Sequence, residues 1–197
     1  DSLAAGGKTH LITETRDQLG RSTGYTYAKD GIVEQNVFTG YADNGRIATA
    51  GFLHGGKGKE FGFSYLEGTN LLQTLTKPNG ITFTQSYEEK RDLVAGMYYK
   101  KGSTAIVGRK YTYDVLGRPL TRSTSRQGTV TNDSFVYNTR SELAAATVDG
   151  GNYSYDYDNI RNRKNAEEET KELIYGSNNI NQYTSIQERE GEAFIPA

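Results

Sequence analysis

Aromatic and polar residues alternate along much of the 197-residue chain. Phe61, Phe63 and Tyr65 stand two apart, as do Tyr111, Tyr113 and Val115, and again Tyr153, Tyr155 and Tyr157. Side chains two apart share one face of a strand, whereas a helix would scatter them round its axis. The residues between them (Gly62 and Ser64, Thr112 and Asp114, Ser154 and Asp156) are small or polar and belong to the opposite face. Between such runs lie Asp43-Asn44-Gly45, Pro78-Asn79-Gly80 and Asp149-Gly150-Gly151, clusters that turn one strand back along another. The pattern predicts an all-β protein of tandem antiparallel hairpins.

One phrase recurs. Residues 111–119 read YTYDVLGRP. Asp114 stands where its carboxylate can accept a bond from the backbone N–H two residues on, and Gly117 where a left-handed residue closes the turn. Arg118 opens the return strand beside the Asp, and Tyr113 is expected to lay its ring on an aromatic of the neighbouring hairpin. Blurred copies carry Asp17, Gly20 and Arg21 in TRDQLGRS, and Tyr41, Asp43, Gly45 and Arg46 in YADNGRI. Others carry Tyr137, Asn138 and Arg140 in YNTRSEL, and Tyr157, Asp158 and Arg163 in YDYDNIRNR. Gly20, Gly45 and Gly68 are 25 and 23 residues apart; Ser141 follows Gly117 by 24, and Arg161 follows Ser141 by 20. A period in the twenties is one hairpin per unit, and such units stabilise one another side by side. They fill the chain, so residues 1–197 are expected to form a single module, one long, twisted and curved sheet. Residues 165–173, NAEEETKEL, read locally as a helix with an Asn cap, but the repeat phase asks for a hairpin tip. The phase is preferred, with room for a helical turn at Glu167–Glu169.

Composition narrows the core. Hydrophobic residues make up 35% of the chain, and the 15 tyrosines are included in that figure. Aliphatic side chains are therefore scarce, and a thick two-layer core is hard to build. Disordered chains are usually as poor in apolar residues, but they also carry high net charge and few aromatics. Here the formal charge is -1 and aromatics are 11%. With 23 basic against 24 acidic residues, nothing suggests a nucleic-acid surface. The chain has no Cys, hence no disulfide framework or thiolate site. No apolar run approaches the roughly 20 residues of a membrane-spanning helix. The start at Asp1 and the end on FIPA predict a fragment of a longer protein.

Sites of chemistry come up as near misses. GFLHGGKG (51–58) approaches a phosphate-binding loop but has Gly58 where a Mg²⁺-holding hydroxyl belongs, and reads better as a floppy hairpin tip before the strand Phe61–Tyr65. Asp156, Asp158, Asn162 and Glu167 fit four positions of a calcium loop, yet Ile160 and Arg161 occupy positions that need a ligand and a Gly. His10 and His54 lack companions for a metal site, and no strained nucleophile turn is present. The expectation is no enzymatic activity, no cofactor and no bound metal.

The phrases YTYDVLGRP, YNTRSEL, YDYDNIRNRK and NQYTSI together resemble the Rhs, or YD-repeat, family of large bacterial proteins. In that family the unit runs roughly Y-D-x-x-G-R, and hairpins stack into a spiralling, open-barrel-like sheet. The resemblance implies a structural role: part of a hollow shell around a C-terminal toxin, or of a wall-associated protein at the bacterial cell surface or outside the cell. Its implied partners are neighbouring repeats of the parent chain, a cell-wall or glycan surface, or an encapsulated toxin domain. Edge-to-edge self-association would follow from unpaired strands. The competing function is adhesion, with exposed tyrosines stacking on carbohydrate; it needs several Tyr faces open to water, whereas a stacking ladder needs them covered.

Overall fold

The computed structural model describes residues 2–5, 7–168 and 170–190, and among them no helix occurs. The first strands are β1 (Ser2–Ala5), β2 (Lys8–Arg16), β3 (Ser22–Lys29), β4 (Ile32–Tyr41), β5 (Ile47–His54), β6 (Lys57–Tyr65), β7 (Leu72–Thr76) and β8 (Ile81–Tyr87). There follow β9 (Val94–Lys101), β10 (Thr104–Tyr113), β11 (Pro119–Arg126), β12 (Thr129–Tyr137), β13 (Leu143–Val148), β14 (Gly151–Tyr157), β15 (Arg163–Glu168), β16 (Lys171–Ser177) and β17 (Tyr183–Glu190). All 17 belong to one hydrogen-bonded sheet. From β1 to β8 and from β10 to β17, each strand runs antiparallel to the one before it in the chain.

The chain divides into two compact units within the β9–β10 hairpin. The first comprises Asp1–Asp92 with the hairpin's tip, Met97–Ile106; the second comprises Leu93–Gly96 and Val107–Ala197. In both, two kinds of turn alternate. Tips of two residues close one set of hairpins, as at Gln127-Gly128 and Asp149-Gly150, where both residues have positive φ. Paired left-handed residues match the right-handed twist of the flanking strands. The other turns are longer, and the strand entering most of them bulges one step earlier, at Tyr41, Tyr65, Tyr113, Tyr137 and Tyr157. A bulge re-aims the side chain that follows it.

Three local expectations change. β10 ends at Tyr113, so Val115 is not the third residue of a strand face; it lies in the turn and is 94% exposed. The segment 51–58 is not a floppy tip, because β5 and β6 run up to His54 and Lys57 and leave only Gly55-Gly56 between them. Glu167 and Glu168 are extended, opposite Ser154 and Tyr153, so no helical turn forms there. The repeat phase prevails over local helix preference because cross-strand pairing satisfies that backbone. Glu169 lies outside the described residues.

The core is thin. Ala28 and Phe83 are the buried apolar residues of the first unit, and Ala146 and Ala166 those of the second. No large side chain is fully buried among the described residues. Thirteen of the 15 tyrosines are half-buried instead, and only Tyr25 and Tyr183 are exposed. A long ring covers sheet surface while its hydroxyl reaches a polar partner at the rim, which suits a chain short of aliphatics.

Candidate functional site

The recurring phrase builds one recurring joint. In the second unit, Asp114 N donates to Arg118 O (3.0 Å) and Gly117 N to Asp114 O (3.1 Å), which closes the turn. The Asp114 carboxylate accepts from Leu116 N (2.9 Å) and Arg118 N (2.9 Å) through Oδ1, and from Arg118 Nε (2.6 Å) through Oδ2. Gly117 takes φ +80, a conformation that a side chain enters only at a cost. Partial desolvation pushes the Asp114 carboxyl up, but the bonds from Arg118 and Leu116 and the guanidinium charge outweigh it, and its pKa lies below the usual carboxylate range.

Arg118 then reaches the next hairpin. Its guanidinium lies 4.7 Å from the centre of the Tyr137 ring, and Nη1 donates to Ser141 Oγ at 3.1 Å. One carboxylate therefore orients a planar cation that covers the neighbouring hairpin's aromatic face. Burial raises the Tyr137 phenol pKa, against the nearby positive charge of Arg118. Tyr113 closes the open end of its own hairpin: its hydroxyl donates to Val94 O, at the start of β9, at 2.7 Å. The Tyr113 ring stacks on Tyr111 of its own strand, with ring centres 6.4 Å apart.

The bond repeats. Tyr41 OH donates to Ser22 O (2.8 Å), Tyr65 OH to Ile47 O (3.1 Å), Tyr87 OH to Leu72 O (2.8 Å) and Tyr157 OH to Leu143 O (2.9 Å). In every case the last residue of one strand holds the first residue of the strand immediately before it. Tyr183 makes a variant, its hydroxyl accepting from Arg163 N at 2.8 Å. The cation repeats as well: Arg21 lies 4.2 Å from the Tyr41 ring centre and Arg46 5.4 Å from that of Tyr65. Asp17 holds Arg21 as Asp114 holds Arg118, with Nε–Oδ2 at 2.6 Å, and its pKa is lowered by the same balance.

Some motif residues sit off the positions their letters suggest. In YADNGRI the turn begins at Ala42, which bonds Arg46 O and Gly45 N, so Asp43 is one step past the capping place. Gly45 keeps the left-handed place at φ +80. In YNTRSEL, Asn138 caps the turn, accepting from Arg140 N (2.9 Å) and Glu142 N (3.0 Å), and Glu142 occupies the place of Arg118. Arg140 lies within the turn and donates to Glu142 Oε2 at 3.0 Å, with Asn138 Nδ2 on the same oxygen at 2.6 Å. In YDYDNIRNR, Asp158 caps, Arg161 is left-handed at φ +72, and Asn162 takes the Arg place, its Nδ2 at 2.9 Å from Asp158. Arg163 is one step later, with its guanidinium 4.5 Å from the Tyr155 ring and 5.6 Å from that of Tyr175. Glu142, Asn162 and Gln182 fill the same turn position, although the Tyr-Asp and Gly-Arg letters do not mark them. Their signal was a side-chain acceptor followed four residues later by a polar residue, whatever its charge.

The near-miss motifs resolve into local contacts. The Asp158 carboxylate is occupied by its own turn, and His10 Nδ1 lies 2.8 Å from Tyr27 Oη. Among the described residues no group of three or more His, Cys, Asp or Glu could hold a metal ion, and no helix is long and apolar enough to cross a membrane.

No protein-family model matches the chain, and no curated protein does. Solved structures do. The chain is similar to part of a Photorhabdus luminescens Tc holotoxin pore, with TM-score 0.66 and 16% identity over 81% of this chain. It spans 9% of that much longer chain. At this identity the likeness concerns the fold. A porin-like protein from Bacteroides uniformis overlaps 92% of the chain at 13% identity, with a TM-score of only 0.41.

Proposed function

We propose that the chain is a non-enzymatic structural module of a bacterial surface or secreted protein of the Rhs, or YD-repeat, kind. Its stacked hairpins contribute to a β wall or shell. The observation that carries this reading is the joint itself: Asp–Arg inside one turn, Arg on the next hairpin's Tyr, and Tyr back to the first residue of the strand before its own. The most distinctive residues of the sequence are thereby used in joining one hairpin to the next. The fold shared with part of a Tc holotoxin pore supports a place in a secreted toxin assembly. Its partners are then neighbouring repeats of the parent chain and a C-terminal domain enclosed by them. The rival platform for sugar stacking has little to use, since only Tyr25 and Tyr183 are exposed. The test is limited proteolysis of the full parent protein. A shell leaves a C-terminal non-repeat domain resistant until the repeats are unfolded; a domain cleaved as fast as its isolated form overturns the proposal.

A further inference from the structure

In the second unit, away from the long turns, the sheet face changes character. Tyr111 of β10, Arg122 of β11 and Asp133 of β12 lie opposite one another across the ladders, and so do Arg109, Thr124 and Thr131 one step nearer the β11–β12 tip. A further step on, Arg126 faces Thr129. All of these but Tyr111 and Asp133 line an open pocket of about 550 Å³, which Asp149 of the next tip also lines. That volume falls within the roughly 300–1,000 Å³ of small-ligand sites.

The pocket is built upon a buried carboxylate. Asp133 is 2% exposed and accepts from Arg122 Nε at 2.5 Å and Asp149 N at 3.0 Å. The first bond fixes the Arg122 guanidinium and the second fixes the neighbouring tip. Arg109 and Arg126 have no ion-pair partner among the described residues. With Asp133 offsetting Arg122 and Asp149 offsetting one more charge, the pocket keeps an excess of positive charge. Gln127 also lines it, held at φ +49, where Asn, Asp or Gly is the usual choice.

We infer that this pocket binds an acidic saccharide, its sulfate or carboxylate group held by Arg109 and Arg126 against the fixed Arg122. Guanidinium forks match planar and tetrahedral oxyanions. The Thr124, Thr129 and Thr131 hydroxyls and the Gln127 amide suit the hydroxyls of a sugar ring. None of the lining residues is aromatic, so a nucleobase has nothing to stack on. This site differs in residues and chemistry from a tyrosine platform, and it does not depend on the structural role proposed above.

The test is calorimetric titration of the 197-residue protein at about 50 mM salt. The ligands are a heparin-derived tetrasaccharide, a galacturonate trimer, maltotriose, inorganic sulfate and a single-stranded oligonucleotide. Saturable one-to-one binding of the sulfated or the uronate sugar is expected, with none of maltotriose, and whichever binds identifies the anionic group. Arg109→Ala and Arg126→Ala should each weaken binding about tenfold or more, whereas Arg16→Ala in the first unit should not. Arg122 is left intact because its loss would strand the buried Asp133. No binding of either acidic sugar, equal binding of the oligonucleotide, binding of sulfate only, or affinity unmoved by the Arg109→Ala/Arg126→Ala pair overturns the inference.

Discussion

Replacing Gly117 with Ala isolates the cost of the turn. Gly117 has φ +80, and a Cβ placed there would stand 3.4 Å from Leu93 Cδ1, a contact that the Leu side chain can relax. The left-handed conformation costs a residue with a side chain about 1–2 kcal/mol. Alanine's smaller freedom in the unfolded chain returns roughly 0.4–1 kcal/mol. Gly117→Ala should therefore destabilise by about 1 kcal/mol. Gly80→Ala is the control: φ is +79 and nothing lies within 4 Å, so it reports the backbone cost without the Leu93 contact. The reverse exchange is available at Arg161, with φ +72. Arg161→Gly removes the same strain and adds roughly 0.5–1 kcal/mol of glycine freedom. It also gives up a long contact, Arg161 Nε to Glu142 Oε1 at 3.9 Å, made by a side chain 72% exposed and worth at most a few tenths of a kcal/mol. The balance lies between roughly zero and a 1 kcal/mol gain. Urea midpoints at unchanged slope measure all three variants. The reasoning fails if Gly117→Ala leaves the midpoint unmoved or raises it, or if Arg161→Gly costs more than about 1 kcal/mol.

Tyr113→Phe keeps the ring and removes the 2.7 Å bond to Val94 O, so it should cost about 0.5–1.5 kcal/mol in the same assay; a neutral result would mean that water replaces the hydroxyl without loss. Arg118→Lys keeps the charge but cannot hold Asp114, cover Tyr137 and reach Ser141 at once, so the thermal midpoint should fall; parity with the parent protein would show that charge alone matters. Asp17, Asp114, Asp133 and Asp158 all have depressed pKa values in the folded state. Their stabilisation is complete above the unfolded value near 3.9 and is lost as pH falls through the folded values, so stability should be flat from about pH 7 to 5 and decline steeply below 4. Asp114→Asn, which mimics the natural Asn138 turn, should weaken that decline; an unchanged acid limb would remove Asp114 from its cause.

Strand class and turn phase were legible because each depends on neighbours in the sequence. Period-two tyrosines mark a strand face, and a phase of about two dozen residues assigned Ser141 and Arg161 to a place that glycine usually fills. Three features were not legible. The bulge at Thr112/Tyr113 resets the alternation, so counting in twos carried the strand on to Val115. The partner of each Tyr hydroxyl is a backbone carbonyl, which carries no letter in the sequence. Glu142 in the place of Arg118 reverses a charge, and only the structure shows Arg140 and Asn138 supplying its donors. The Arg109–Arg122–Arg126 pocket was hidden for a similar reason: its residues come from adjacent strands, and the balanced total charge conceals a local excess.

The bonds from the Tyr41, Tyr65, Tyr87, Tyr113 and Tyr157 hydroxyls to backbone carbonyls join residues only 14 to 19 apart in the chain. Nothing in such a joint has to wait for a distant part of the sequence. A hairpin leaving a ribosome or a secretion channel can close as soon as its own tyrosine has emerged, and the cost of loop closure at each step is small. Growth then has a direction, from the amino end onward, with each docked hairpin serving as the template for the next. A chain assembled in this way can lengthen over evolution by duplicating one unit, because every new hairpin brings both halves of its joint.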